Sequence, residues 1–299
     1  MTGAAVLATT TVPAVRARKA HAGNDPLVMV TAYDAPGARL VADGGADLIL
    51  VGDSVAMVVL GYDDTLQVTV ADMAHHTAAV ARGLASWRPA DPEAAGRRPL
   101  VVGDLPWLSY HVSTDDAVRN AATLVRAGAQ AVKLEGGRKR VAVIEAIVDA
   151  EIPVMGHLGL TPQSVHAMGG FRVQAKGTEA ALELLAEAKA LQAAGCFALV
   201  LEGVPDQVAA MVTAAVDIPT IGIGAGPDCD GQVLVFHDLL GLEDRLAPKF
   251  VRRYADLRAD GVAAIQAYAA DVRSGAFPSA AESYHLSDSV AEELALYGG

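Results

Sequence analysis

Several short apolar runs in this sequence end in polar residues that could do acid–base or metal chemistry. The residues at these ends are Asp34, Asp53 with Ser54, Asp104, Lys133 with Glu135, His157 and Glu202. An unpaired carboxylate is costly to bury, so acids that recur at such positions need a compensating partner. We therefore expect a shared site in which a cation offsets the acids.

Magnesium is the cation that these residue types favour. Asp53, Asp104 and Glu135 offer carboxylate oxygens from separate runs. Hard ions such as Mg²⁺ prefer oxygen ligands, and no paired cysteines or suitably spaced histidines indicate a softer ion. Lys133 would offset part of the remaining negative charge.

Each of these residues also has an ordinary structural explanation. A lone Asp after a strand is often a helix N-cap, and Asp34, followed by "APGARLVA", fits that role. Lys133 and Glu135 lie two apart on a strand and face the same way, which on an exposed strand would be a surface pair. Their buried neighbours favour an inward pair. His157 fits a core histidine and a site residue equally well.

The acids can meet only if the fold brings the ends of the runs together. Predicted strands are "LVMVTA", "ADLILVG", "PLVVGDL", "AQAVKLE", "IPVMGHL", "FALVLEG" and "IPTIGIG", with an eighth within "GQVLVF". Predicted helices between them span residues 35–44, 69–85, 115–127, 138–149, 178–194 and 206–215. Glycine precedes several strands, as in "DGGADLI" and "AAGCFALV", and ends the helix before each one.

This alternation predicts a single α/β domain with the (β/α)₈ TIM-barrel fold. Near-continuous apolar strands indicate a parallel sheet covered on both faces, and about eight βα units favour a closed barrel. The carboxyl ends of all strands then share one face. We assign residues 1–25 to a mobile N-terminal tail and residues 26–299 to the barrel. A C-terminal helical extension runs from Pro248 to about residue 273, and residues 86–98 form a surface loop.

Composition narrows the class of protein. A net charge of −12 argues against a nucleic-acid partner, and no apolar run reaches the roughly 18 residues that would span a membrane. The charges of the N-terminal segment follow its apolar residues, unlike those of a signal peptide. Cys196 and Cys229 form no disulfide framework, so we expect a reducing cytoplasm, with Cys196 as a small buried residue.

The glycine-rich stretch "GIGAGP" is not a dinucleotide motif. Pro227 stands where that motif needs glycine, and the barrel context is also wrong. At the end of the seventh strand the glycines could cradle a phosphate or could let a ligand approach the backbone. Both explanations remain open from the sequence.

Long segments of the chain resemble the ketopantoate hydroxymethyltransferase family. They are "VTAYDAPGA", "VGDSVAMVVLGYDDTLQVT", "GDLPW", "AVKLEGG", "PVMGHLGLTPQSVHAMGGFRVQ", "LVLEGVP", "IPTIGIGAGPDCDGQVLVFHDLLGL" and "PKFVRRYADL". The resemblance runs in order from about residue 27 to residue 273. It departs from the family's usual residues at Ala56, Trp107 and Gly203, none of which removes a reactive group.

The resemblance implies a barrel like those of the phosphoenolpyruvate/pyruvate superfamily and a defined reaction. A hydroxymethyl group would pass from 5,10-methylenetetrahydrofolate to 3-methyl-2-oxobutanoate, giving ketopantoate and tetrahydrofolate in pantothenate synthesis. The family binds one Mg²⁺ per subunit and forms a homo-oligomer, typically a decamer.

The resemblance also implies roles for the strand-end residues. Asp53 and Asp104 would ligate Mg²⁺, and Glu135 would assist directly or through water. Glu202 would be the general base. The residues that would contact the substrate are Asp53, Ser54, Asp104 and Lys133, and His157 would lie close to it.

Two other functions fit parts of the sequence. A lyase or mutase of the same superfamily would share the metal and enolate chemistry, but such enzymes often use a loop cysteine, and none follows "KLEGG". A binding protein without turnover is the second alternative. The complete set of acids and Lys133 argues against it.

Overall fold

Eight parallel strands close into a barrel in sequence order. The computed structural model describes residues 8–19, 23–89, 97–245 and 248–296. The strands are β1 Leu27–Thr31, β2 Leu48–Val51, β3 Leu100–Asp104, β4 Ala131–Glu135, β5 Val154–Gly159, β6 Ala198–Glu202, β7 Thr220–Ile223 and β8 Gly231–Leu234. The predicted barrel is confirmed, including the eighth strand within "GQVLVF".

Helices connect the strands and cover most of the barrel wall. They are α1 Val12–Arg16, α2 Ala35–Asp43, α3 Val55–Val58, α4 Val70–Ser86, α5 Thr114–Arg126, α6 Val141–Asp149, α7 Val165–Met168, α8 Thr178–Ala193, α9 Asp206–Ala215, α10 Phe236–Leu239, α11 Leu257–Ser274 and α12 Asp288–Leu296. The predicted helices match α2, α4, α5, α8 and α9 to within about two residues. Residues 138–140 form a 3₁₀ turn ahead of α6.

The strands bury side chains on both faces, which explains their unbroken apolar character. In β4, Val132 and Leu134 pack outward against the helices, whereas Ala131 joins the cluster inside the barrel. Every residue of β3 and β4 is buried. Since side chains alternate along a strand, Lys133 and Glu135 continue the inward row that starts at Ala131.

The N-terminal segment is folded against the amino-terminal end of the barrel over residues 8–19. Val15 is fully buried inside the barrel cluster. The Nζ atom of Lys19 lies 2.7 Å from Asp230 Oδ2 and donates to the carbonyl oxygens of Thr213 and Ile218. The prediction of a mobile tail over residues 1–25 is therefore wrong for residues 8–19, while residues 1–7 and 20–22 lie outside the described part.

Two other local predictions have mixed outcomes. Asp34 is the N-cap of α2, and its side chain accepts the N–H of Gly37 at 2.7 Å, as predicted. The loop predicted at 86–98 begins with a buried Trp87 whose Nε1 donates to Asp43 Oδ1, and residues 90–96 lie outside the described part.

The C-terminal helix begins later than the sequence indicates. It starts at Leu257, where the side chain of Asp256 accepts the N–H of Ala259, rather than at Pro248. No residue of α11 is buried. Among the described helices, none is both long enough and apolar enough to cross a membrane.

Candidate active site

The strand-end residues converge on one cavity at the carboxyl end of the barrel. Inward positions on β3, β4, β5 and β6 continue from apolar residues into polar ones, and β2 is followed directly by Gly52 and Asp53. The cavity has a volume of about 890 Å³. Its lining includes Asp53, Ser54, Asp104, Lys133, Glu135, His157 and Glu202, so the structure brings all the predicted site residues together.

Asp53, two residues after β2, and Asp104, the last residue of β3, are buried side by side. The main-chain N–H of Asp53 donates to Asp104 Oδ2 at 3.2 Å. Ser54 lies beside them at the start of α3, and its hydroxyl is 2.9 Å from the hydroxyl of Tyr33. The adjacency follows from the parallel register, which places the ends of β2 and β3 next to each other.

Lys133 is the cation at the centre of the acidic group. Its Nζ atom lies 2.9 Å from Asp104 Oδ1 and 3.5 Å from Glu135 Oε1. Burial alone would lower the pKa of Lys133, but the neighbouring carboxylates, of which Asp104 is the strongest, raise it. Lys133 is therefore a permanent ammonium ion.

His157 connects Glu135 to Glu202. Its Nδ1 atom lies 3.2 Å from Glu135 Oε1, and its Nε2 atom lies 3.3 Å from Glu202 Oε2. Burial and the Lys133 ammonium lower the pKa of His157, but the two carboxylates outweigh them and raise it to about 9. The two carboxylates thus favour the imidazolium form of the ring.

The negative charges of Asp53 and Asp104 are not fully balanced by neighbouring cations. Burial raises the pKa of Asp53 well above its ordinary value, and the carboxylates of Asp104 and Glu135 raise it further. Burial also raises the pKa of Asp104, although Lys133 opposes the change. In contrast, burial is outweighed at Glu135 by His157 and Lys133, which lower its pKa. A positive charge beside the two aspartates would be strongly stabilised.

The donor set fits a magnesium ion held by few protein ligands. Among the described residues, no three His, Cys, Asp or Glu side chains are arranged to hold an ion together. Glu135 already uses Oε1 toward His157 and Oε2 to accept the main-chain N–H of Gln163 at 3.0 Å. Asp53 and Asp104 are the two carboxylates that lie side by side, and Mg²⁺ is usually held by one or two carboxylates together with water and substrate oxygens.

Comparison with known proteins identifies the family. Residues 9–280 match the family model described as ketopantoate hydroxymethyltransferase. The chain belongs to the ketopantoate hydroxymethyltransferase family. The resemblance read from the sequence is therefore confirmed.

Relatives named 3-methyl-2-oxobutanoate hydroxymethyltransferase match along most of their length. The protein from Methylobacterium sp. is 54% identical over 284 residues, covering 95% of this chain and 94% of the relative. The protein from Ignicoccus hospitalis is 55% identical over 260 residues, covering 87% of this chain and 94% of the relative.

Two solved structures that are similar in fold are those of enzymes with other names. A phosphonopyruvate hydrolase superposes with a TM-score of 0.58 at 14% identity, covering 97% of this chain and 96% of that one. A 2,3-dimethylmalate lyase, described as a PEP mutase/isocitrate lyase superfamily member, gives a TM-score of 0.54 at 16% identity, with coverage of 97% and 99%. At such low identity these likenesses concern the barrel fold alone.

Two residues that contact the site, Gln163 and Tyr110, were not predicted from the sequence. Gln163, in the turn after β5, donates from Nε2 to Asp53 Oδ2 at 2.9 Å. The hydroxyl of Tyr110 lies 2.6 Å from Gln163 Oε1 and accepts the main-chain N–H of Glu135. Gln163 stands in "GLTPQS", six residues after His157, and this proximity was the only available signal.

Glycines shape the walls of the cavity. Gly159 has φ +92°, and a Cβ atom there would lie 2.3 Å from the carbonyl oxygen of Glu202, so the chain needs glycine to let β5 and β6 end together. In "GIGAG", the space over Gly224 is filled by the ring of Phe250. That glycine makes room for a side chain, so neither a phosphate nor a ligand approaching the backbone is needed to explain it.

The outer part of the cavity differs in character from the acidic end. Phe171, Val173 and Phe250 line it and are partly exposed. Arg172 and Lys249 also line it, and neither forms an ion pair with another described residue. The lining thus combines apolar side chains and two cations without a described ion-pair partner with Asp238 and the Glu243–Arg245 ion pair.

Proposed function

We propose that this chain transfers a hydroxymethyl group from 5,10-methylenetetrahydrofolate to 3-methyl-2-oxobutanoate, giving ketopantoate and tetrahydrofolate. The observation on which this rests is the convergence of Asp53, Asp104, Lys133, His157 and Glu202 on one cavity in a member of this family. The names of the curated relatives support the same substrate and the same reaction.

Asp53 and Asp104 are the residues that would hold Mg²⁺. Their adjacent, buried carboxylates lack sufficient positive charge, as the raised pKa of Asp53 indicates. When bound there, the ion would supply Lewis acidity to the keto group of the substrate. Support for magnesium also comes from a fold relative, a phosphonopyruvate hydrolase whose structure is described as a complex with oxalate and Mg²⁺.

Glu202 is the group best placed to take the C3 proton of the keto acid. His157 lies between the carboxylates of Glu135 and Glu202, which raise its pKa and favour the protonated form, and an imidazolium has no lone pair to accept a proton. Glu202 is partly open to the cavity, and the adjacent imidazolium orients it. A positioned general base typically contributes about 10²–10⁴ in rate.

The remaining residues stabilise the charge that forms when the proton leaves. Lys133 faces the same end of the cavity as Asp104 and can bind the carboxylate or the developing enolate oxygen of the substrate. The nucleophilic C3 then attacks the methylene carbon delivered by the folate, and water supplies the hydroxyl oxygen as tetrahydrofolate is released.

The outer part of the cavity supports a second, larger substrate. A volume of about 890 Å³ far exceeds the needs of a keto acid with five carbons. Phe171 and Phe250 offer apolar surface for a planar ring system, and Arg172 and Lys249 suit the carboxylates of a folate tail.

Proton exchange at C3 tests the assignment of the base. We expect the wild type with Mg²⁺ to exchange the C3 hydrogen of 3-methyl-2-oxobutanoate for deuterium without folate, as followed by NMR. Glu202→Gln should bind the keto acid but lose this exchange. Glu145→Gln, on the outer face of α6, is the matched control and should exchange normally. Exchange at the wild-type rate in Glu202→Gln would disprove the role of Glu202.

The overall reaction and the metal are tested separately. A turnover assay with the keto acid, 5,10-methylenetetrahydrofolate and Mg²⁺ should produce ketopantoate only when all three are present. Asp53→Ala and Asp104→Ala should each weaken the Mg²⁺ dependence of turnover. If both variants respond to Mg²⁺ as the wild type does, these residues are not the ligands.

We also propose that the chain forms a homo-oligomer in the cytoplasm. The outward residues of β1 and the helix α11 leave apolar surface uncovered, with Val28 47% exposed and Ile265 69% exposed. A second copy of the chain would cover such surface. The unpaired, buried thiols of Cys196 and Cys229 suit a reducing compartment. Light scattering should give a lower molar mass for Ile265→Lys than for the wild type or for the control Arg273→Ala on the same helix.

A further inference from the structure

The side chain of Gln163 lies at the centre of a buried hydrogen-bond network beside the two aspartates. Its Nε2 atom lies 2.9 Å from Asp53 Oδ2 and 3.0 Å from the carbonyl oxygen of Leu105. Its Oε1 atom lies 2.6 Å from the hydroxyl of Tyr110. The residue is only 4% exposed.

The partners fix the orientation of the amide. The carbonyl oxygen of Leu105 can only accept, so the nitrogen of the Gln163 amide must face it. Both amide hydrogens are then used, one on Leu105 and one on Asp53. The amide oxygen faces Tyr110 and accepts its hydroxyl hydrogen. A flipped amide would place an oxygen against two acceptors, so a single orientation is allowed.

This arrangement holds the carboxylate of Asp53 by one oxygen. Oδ2 accepts from Gln163 at 2.9 Å, and among the described residues no other hydrogen bond reaches the Asp53 carboxylate. The backbone of Asp53 is at the same time tied to Asp104 Oδ2. Asp53 and Asp104 both line the cavity, and these contacts hold their carboxylates next to each other.

The contact from the Gln163 backbone is independent of its side chain. The main-chain N–H donates to Glu135 Oε2 at 3.0 Å. This bond does not depend on the side chain of Gln163, so in Gln163→Met and Gln163→Glu the turn after β5 keeps its anchor. The effect of the amide can therefore be separated from the position of the turn.

We propose that Gln163 is a positioning residue that sets the Asp53 carboxylate for binding a divalent cation. The amide donor occupies Oδ2 and leaves Oδ1 for the ion, next to Asp104. The inference rests on the proposed function only in taking Asp53 and Asp104 as the metal ligands. Partners behind metal ligands typically contribute about 10–100-fold to metal affinity.

Mn²⁺ binding to the full-length protein without substrates, measured by electron paramagnetic resonance, tests this role. Gln163→Met keeps the length of the side chain but loses the donors, and we expect its Mn²⁺ affinity to fall by about 10–100-fold. Gln163→Glu should bind at least as weakly, because an acceptor then faces Asp53 and Leu105. Gln130→Met is the matched control, since the Gln130 side chain accepts from Val101 at the opposite end of the barrel. Its affinity should equal that of the wild type.

A second variant and a second measurement exclude a general structural defect. Tyr110→Phe removes the hydroxyl that contacts the Gln163 amide and the main chain of Glu135, and it should weaken Mn²⁺ binding in the same direction, by less. In the turnover assay, Gln163→Met should need more Mg²⁺ but reach a kcat close to that of the wild type at saturation. A misfolded variant would not recover in this way.

Wild-type Mn²⁺ affinity in both Gln163→Met and Tyr110→Phe would overturn the proposal, as would an equal loss in Gln130→Met. Failure of the proposed reaction would look different. The wild type would then bind Mn²⁺ with the expected dependence on Gln163 and yet form no ketopantoate.

Discussion

Replacing Lys133 with methionine should destabilise the barrel by about 3–5 kcal/mol, because Asp104 is left buried without its counter-ion. The two charged groups are 2.9 Å apart and both are almost fully buried. At an effective dielectric constant of about 20, their attraction is about 6 kcal/mol, and part of it is offset by the cost of removing both groups from water. Methionine preserves most of the aliphatic volume, so the loss reports mainly on charge.

A double-mutant cycle measures this interaction directly. Urea unfolding in EDTA should be followed by circular dichroism for Lys133→Met, Asp104→Asn and the double variant. We expect the double variant to be more stable than additivity of the single changes predicts, by about 1–3 kcal/mol. Lys189→Met, on the exposed face of α8, is the control and should cost little.

The pH dependence gives the cycle an independent check. Without Lys133, the raised pKa of Asp104 in the folded state should rise further. When the pKa of a carboxyl group is higher in the folded state than in the unfolded state, the group favours folding at pH values below its unfolded-state pKa. This stability is lost as the pH rises through the folded-state pKa. The free energy of unfolding of Lys133→Met should therefore decrease relative to that of the wild type as the pH increases. Additive effects to within about 0.5 kcal/mol, without this trend, would refute the pairing.

Three further outcomes are expected. Gly159→Ala should lose about 1–3 kcal/mol of stability and much of its activity, since the new Cβ meets the carbonyl oxygen of Glu202; Gly177→Ala, where the space is open, is the control for urea unfolding. His157→Gln should cost most stability below about pH 6.5, where the wild-type imidazolium contributes fully, and this difference should disappear as pH rises through about 9; unfolding in EDTA across that range decides it. Lys249→Ala should raise the KM for the folate and leave the KM for the keto acid unchanged, and steady-state kinetics that show the reverse would remove Lys249 from the folate site.

The convergence of the site could be predicted because it depends on two regular features of the chain. Side chains alternate along a strand, so Lys133 and Glu135 had to share a face, and parallel strands place their carboxyl ends together. The seven predicted site residues therefore line one cavity, even though the first and last of them, Asp53 and Glu202, lie far apart in the sequence. The metal, base and substrate roles of these residues stay predictions that the experiments above test.

Residues that depend on the path of a loop could not be found in this way. Gln163 reaches Asp53 across 110 positions of sequence, and no periodicity links them. The N-terminal segment was misjudged for a similar reason. Its small and basic residues look like a tail, but Lys19 finds a buried carboxylate in Asp230, 211 positions away. Whether such a segment folds onto the barrel can depend on a single long-range ion pair, and the partner in that pair cannot be predicted from local composition.

The charges around the cavity explain why the acidic end should require an ion. Four carboxylates, those of Asp53, Asp104, Glu135 and Glu202, face two cations, Lys133 and His157. The cations lie against Asp104, Glu135 and Glu202, so the excess of negative charge falls on Asp53, whose pKa is raised first by burial and then by the carboxylates of Asp104 and Glu135. One divalent ion would balance the excess and would remove the reason for Asp53 to retain a proton. The barrel thus places Lys133 and His157 beside Asp104, Glu135 and Glu202 and leaves Asp53 where positive charge would have to come from a bound ion.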